Sequence, residues 1–274
     1  MVTSYVLIKK IRSTSEELSF TNFKLWKIGA TSDNDLEKAQ RIFPKAWPSY
    51  EDYVYEKTYV DDNGRERAPS EIEDTLLLMR LFKTGDLFFV SHCLEEKDNL
   101  ANQLPNPIMV YTPTTNLYNI EAKECAKFNL FASDILSLPN WSSEWFKIAR
   151  RFFLYGGGKE YNPRHGLLDR IVDYITVLET ILVPEKKLLG RRLRERAAAL
   201  LKDTRIDTDD TKHLLRDFYN VRSVIVHGSD ITSSKYPVLE RNMDFEQVVR
   251  QVLVESLRVI PNGDERNIFL KDLF

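Results

Sequence analysis

The sequence predicts an α+β N-terminal domain over residues 1–135, followed by an all-α antiparallel helical bundle over residues 136–274. Three observations predict it. The first half carries short runs rich in Val, Ile, Tyr, Phe and Thr, broken by Gly, Asn, Asp and Pro. From about Ser137 the apolar residues recur at steps of three and four, the helical period. The chain has 274 residues, enough for two modest domains that each bury a core.

In the first half, SYVLIKKI, NFKLWKIGA, YVYEKTYV, TLLLMRLFKTGDLFFVSHCL and PIMVYTP read as strand-rich segments. Between them DNDLEKAQRIF places acidic residues ahead of an apolar pattern, which suits a short helix. In the second half, Trp141, Trp145, Ile148, Phe152 and Tyr155 mark the apolar face of a first helix, with Gly156, Gly157 and Gly158 expected to stop it. A second helix runs from about Pro163 to Leu182, with Leu168, Ile171, Val172, Ile175, Leu178 and Leu182 on one face. Pro184 ends it and opens a third, carrying Leu189, Leu193, Ala197 and Leu200. The acidic cluster Asp207, Asp209 and Asp210 suits the positive N-terminus of a fourth, whose face is Leu214, Phe218, Val221 and Ile225. A fifth follows Asn242, with Phe245, Val248, Val249, Val252, Ser256 and Val259. Five amphipathic helices with mostly short connections make an antiparallel bundle.

Composition narrows the function. The formal charge of -2 argues against a protein that coats nucleic acid by charge alone. From Trp141 onward there are 23 Lys and Arg against 20 Asp and Glu, a local +3 that permits a phosphate site in the second half. Cys93 and Cys125 are too few for a disulfide framework, and they form no metal-ligand spacing with the four histidines, so no metal or cofactor is expected. No run approaches about 18 consecutive apolar residues, and the N-terminus lacks a signal-peptide pattern. The expectation is a cytoplasmic protein without a membrane partner.

Polar residues that interrupt the apolar faces are the candidates for function. Glu179 and Arg196 lie on or beside the inward faces of the second and third helices, and are expected to pair with each other because an unpaired buried charge is costly. Such a pair serves a bundle as readily as a site. Within NVRSVIVHGS, Arg222 and His227 are five residues apart, about 140° round a regular helix, and can converge only if the helix ends there. Gly228 supplies that end. A histidine cap with a structural arginine accounts for the same residues. The run KKLLGRRLRER, with Arg191, Arg192 and Arg194, is either a solvated helix face or a strip that tracks phosphates. His165 reads as an N-terminal helix residue, His92 beside Cys93 as part of a strand, and His213 as exposed. YGGGKEYN lacks the spacing of a phosphate-binding loop and reads as a connector.

YNVRSVIVHG, preceded by DRIVDYITVLETIL and RRLRERAAALL, resembles the HEPN domain in its Apea-like branch. The resemblance covers roughly residues 165 to 260, with TLLLMRLFKTGDLFF resembling a segment that often precedes such domains. It rests on an arginine followed after four residues by histidine, together with the upstream Glu179 and Arg196. It implies a helical bundle that dimerises so that two motifs face one another, and a metal-independent endoribonuclease active in defence or stress. His227 would then act as acid or base, Arg222 would stabilise the phosphate, and single-stranded RNA would be cut to 2′,3′-cyclic phosphate ends. Members commonly carry Asn, Asp or His after the motif arginine, where this chain has Ser223. Serine can bond a phosphate or orient His227. The alternative implied is a non-catalytic module that dimerises or binds RNA or a nucleotide. The role of the N-terminal domain is open, with sensing or recruitment as the expectation and a regulatory protein as a further candidate partner.

Overall fold

Along β1 (Val2–Lys9) Val2, Ser4, Val6 and Ile8 alternate with Thr3, Tyr5, Leu7 and Lys9, and nearly all are buried, so both faces of the strand must be covered. They are. In this computed structural model, which describes all residues except 30–32, 45, 47, 62, 98, 103–116, 159–165, 186–187, 229–230, 232–234 and 274, β1 is an inner strand of a six-stranded sheet. With β2 (Ile11–Arg12), β3 (Glu17–Ser19), β4 (Lys24–Lys27), β5 (Tyr53–Tyr59), β6 (Phe88–Glu96) and β7 (Asn99–Asn102), the sheet order is β3-β4-β5-β1-β6-β7, antiparallel throughout. β2 pairs separately with β8 (Tyr118–Asn119).

One face of the sheet receives α1 (Asp33–Ile42), where Ala39, Ile42 and Phe43 pack on Tyr5, Leu7, Val54 and Cys93. The other receives α2 (Gly64–Phe82), whose Ala68 packs on Val2, Tyr59 and Leu94. The expected short helix is α1. TLLLMRLFKTGDLFFVSHCL divides differently from the expectation: Thr75 to Phe82 close α2, and only the part from Phe88 is strand. A short continuous apolar run has no period of its own, and the helix-forming residues ahead of it decide the matter. α3 (Ala122–Ser137) is a further helix that the sequence reading did not place. Its Phe128 meets Phe20, Phe23 and Phe82 edge-on. PIMVYTP lies outside the described residues.

The chain divides into two compact units, Met1–Ser133 and Asp134–Phe274. The second unit contains α4 (Glu144–Gly158), α5 (Gly166–Leu182), α6 (Leu189–Leu201), α7 (Thr208–Val226), α8 (Asn242–Val259) and α9 (Glu265–Asp272). α5 is central and buried almost all round, through Ile171, Tyr174, Ile175, Val177, Leu178 and Ile181. Aromatic stacking joins the helices: Tyr174 lies on Phe153, and Phe218 on Phe245 at 4.1 Å between centroids. The start of α6 meets the end of α7, and the end of α6 shares a groove with the start of α7, so these two helices run antiparallel.

Two details of α4 differ from the sequence reading. Its buried face is Trp145, Phe146, Ala149 and Phe153, while Ile148 and Tyr155 are exposed and Trp141 sits in a preceding 3-10 turn. The helix also runs through Gly156 and Gly157 to Gly158 instead of stopping at them. Gly156 serves close packing: a β-carbon there would lie 2.7 Å from the ring of the fully buried Tyr174. Gly156→Ala should therefore destabilise the unit by about 1 kcal/mol, since a steric cost of about 2 kcal/mol outweighs about 1 kcal/mol of gained helix propensity. Chemical denaturation would measure this. A stabilised variant would show that the glycine is only a helix breaker.

Buried charge also differs from expectation. Arg170 and Glu246, 3% and 2% exposed, pair at 3.4 Å between α5 and α8, and Arg170 Nε donates to the Gly156 carbonyl. Neither residue was singled out by periodicity, because a helix buried on every side has no polar face against which an inward charge stands out.

Candidate functional site

α7 is set by its ends. Asp207 is its N-cap, and its Oδ1 accepts from the backbone N–H groups of Asp209 and Asp210 at 2.9 and 3.0 Å, as the acidic cluster predicts. At the other end His227 is the C-cap, and its N–H donates to the Ser223 carbonyl. Gly228 follows at φ +73 and donates to the Ile225 carbonyl. That left-handed conformation, which glycine adopts without strain, ends the helix.

His227 is exposed and sits where the last carbonyls of α7 point outward. Arg222, one and a half turns earlier, is partly exposed, and its Nη2 lies 3.7 Å from Glu179 Oε2 on α5. Tyr219 donates its hydroxyl to Glu179 Oε1 at 3.2 Å. Tyr219 and Arg222 are three apart on one face of α7, so one carboxylate holds both. Burial, then the neighbouring Glu179, raises the Tyr219 pKa, which keeps the phenol a donor. Ser223 is half-buried on the same turn. Tyr219 is the member that the sequence reading missed; its place three residues before Arg222 was the available signal.

The expected pairing of Glu179 with Arg196 is not what forms. Arg196 is 1% exposed and donates to the Leu182 carbonyl at 2.7 Å, and to both oxygens of Glu185 at 2.8 Å. Glu185 is held by Arg196, with Arg192 at 3.6 Å, so its pKa falls to about 2. The physical reason is the end of α5: its last carbonyls need donors, and a carboxylate three residues beyond Leu182 completes a bidentate site for a guanidinium. Arg266 satisfies the Thr180 and Ile181 carbonyls in the same way. Glu179 is thereby left to α7.

The basic run is also redistributed. Arg192 faces Glu185, Arg194 faces Glu195 at 3.9 Å, and Arg191 lines a groove between α6 and α7. Of the other histidines, His92 is buried in β6 and bonded to Ser4, and His213 is exposed on α7 as expected. His165 and the KEYN part of YGGGKEYN lie outside the described residues. Among the described residues no group of three His, Cys, Asp or Glu side chains could hold a metal ion, and no helix is long and apolar enough to cross a membrane.

The arrangement offers an imidazole at a helix end and a guanidinium facing a carboxylate that a phenol also bonds. Such a pair can move a proton and bind an anionic oxygen. Comparison of the chain with family models, with curated proteins and with solved structures returned no match.

Proposed function

We propose that this protein is a metal-independent endoribonuclease of the HEPN type, acting as a homodimer on single-stranded RNA in a cytoplasmic defence or stress response. The observation that carries the reading is the end of α7, where an exposed His227 follows an Arg222 that faces Glu179, a carboxylate also bonded by Tyr219. In the reaction, the ribose 2′-oxygen attacks phosphorus as one imidazole takes its proton, and the 5′-oxygen leaves with a proton from the second. Arg222 neutralises charge growing on the phosphorane, and Ser223 bonds a phosphate oxygen. The products are a 2′,3′-cyclic phosphate and a 5′-hydroxyl.

A second reading, a non-catalytic module that dimerises or binds RNA or a nucleotide, is favoured by the Arg222–Glu179 contact, which a purely structural arginine would also make. Cleavage of a mixed RNA panel in EDTA decides between them. His227→Ala and Arg222→Ala should each lower cleavage by about a hundredfold at unchanged folding and oligomeric state. Equal inertness of wild type and both variants would leave the module.

A further inference from the structure

We infer that the groove between α6 and α7 is a track for the sugar-phosphate backbone of single-stranded RNA, a binding surface separate from the His227 end. The inference takes its substrate class from the ribonuclease reading. The groove holds about 570 Å³. Arg191, Glu195, Ala198, Ala199 and Lys202 follow one another at helical steps along one face of α6, and Lys212 lines it from α7. From Arg191 to Lys202 the helix rises about 16 Å, so the cations are spread along the groove instead of gathered at one point. The two alanines carry no side chain past the β-carbon, and between the basic ends they leave room for a chain to lie close.

The charge balance favours a polyanion. Arg191, Lys202 and Lys212 stand against one carboxylate, Glu195, a net charge of +2 on the lining, and Glu195 is paired within the protein, with Lys212 at 3.1 Å and Arg194 at 3.9 Å. Two of the three acids at the start of α7 are engaged elsewhere: Asp207 caps its own helix, and Asp210 makes a two-pronged pair with Arg241, while Asp209 is exposed and does not line the groove. At its Arg191 end the groove adjoins the candidate site. Gly190, the preceding residue, is so close to Tyr219 that a β-carbon there would lie 3.0 Å from the ring, and Tyr219 bonds the carboxylate that holds Arg222. RNA bound along the groove would therefore run toward the end of α7 that carries Arg222. Spaced charges over a small-residue floor grip backbone without reading bases.

Fluorescence anisotropy tests this with a labelled oligouridylate about twelve nucleotides long, across a salt series and in a His227→Ala background that leaves the RNA intact. Arg191→Glu/Lys202→Glu should weaken binding about tenfold or more and flatten the salt slope by about 1.4, two phosphate contacts at about 0.7 each. Arg191→Gln/Lys202→Gln, gentler on folding, should flatten the slope equally. Lys147→Glu/Arg151→Glu on α4 makes the same charge change elsewhere and should leave the slope as it was. A parent that does not bind the oligonucleotide, or groove and α4 variants that lose binding alike, would overturn the proposal. The two readings fail separately. Loss of binding in the groove variants of a wild type that cuts no RNA would sustain the track and remove the nuclease, whereas His227-dependent cleavage with unimpaired groove variants would do the reverse.

Discussion

Alanine in place of Arg196 is expected to lower the stability of the second unit by about 4 kcal/mol, read from urea denaturation. The side chain is the largest of those fully buried, and its guanidinium ties the Leu182 carbonyl and the Glu185 carboxylate to α6. Truncation opens a cavity and leaves the helix-end carbonyl without this donor. Glu185→Gln should cost less, about 1 to 2 kcal/mol, because one side-chain oxygen still accepts and the carboxylate is partly solvated. Its pH dependence has a fixed sign: the folded pKa lies near 2, below that of the unfolded chain, so the contribution is complete above the ordinary glutamate pKa and fades as the pH falls toward 2. The glutamine variant should lack that limb. If Arg196→Ala cost no more than Glu185→Gln, the pair would not be holding α5 to α6. The functional consequence follows from the same link, because α6 carries Gly190, against which Tyr219 packs beside Glu179.

What the sequence disclosed was local. The end of α7 was legible because Arg222, His227 and Gly228 belong to one stretch, and a helix stop reads directly from glycine. The partner of Arg222 was legible only as an inward carboxylate: Glu179 could be placed on a face by period, but α6 and α7 offered it competing cations, and the unmet carbonyls of α5 decided which went where. In α4 the large residues Ile148, Phe152 and Tyr155 outweighed Ala149 in the pattern, although the alanine faces inward and Ile148 and Tyr155 do not. A helix that is apolar on two sides carries no unique stripe. The sheet unit was harder still, because a strand buried on both faces and the buried end of a helix are both continuous apolar runs. The apolar close of α2 reads as strand for that reason.

Acid should weaken the first unit through His92. This histidine is 1% exposed in β6, with its Nε2 3.0 Å from Ser4 Oγ on β1, and burial lowers its pKa to about 4. Ser4 and His92 face the side of the sheet that α2 covers, so a proton on the ring would place a charge beneath a helix. The direction is set by linkage. Below about pH 6.5 the unfolded chain binds a proton that the folded chain refuses until about pH 4, so stability falls across that window and is constant with respect to this group on either side. The loss is about 2 kcal/mol by pH 5 and about 3 kcal/mol by pH 4. His92→Gln, which retains a polar partner for Ser4, does not titrate there. Its unfolding free energy at pH 7 need not match that of the wild type, so the quantity to compare is the change between pH 7 and pH 5, measured by calorimetry or denaturation. The wild type should lose about 2 kcal/mol more than the variant, with shared carboxylate effects cancelling. Equal losses would mean that His92 is protonated in the fold or that the sheet opens to admit water, and the acid response of this unit would then have to arise from its carboxylates.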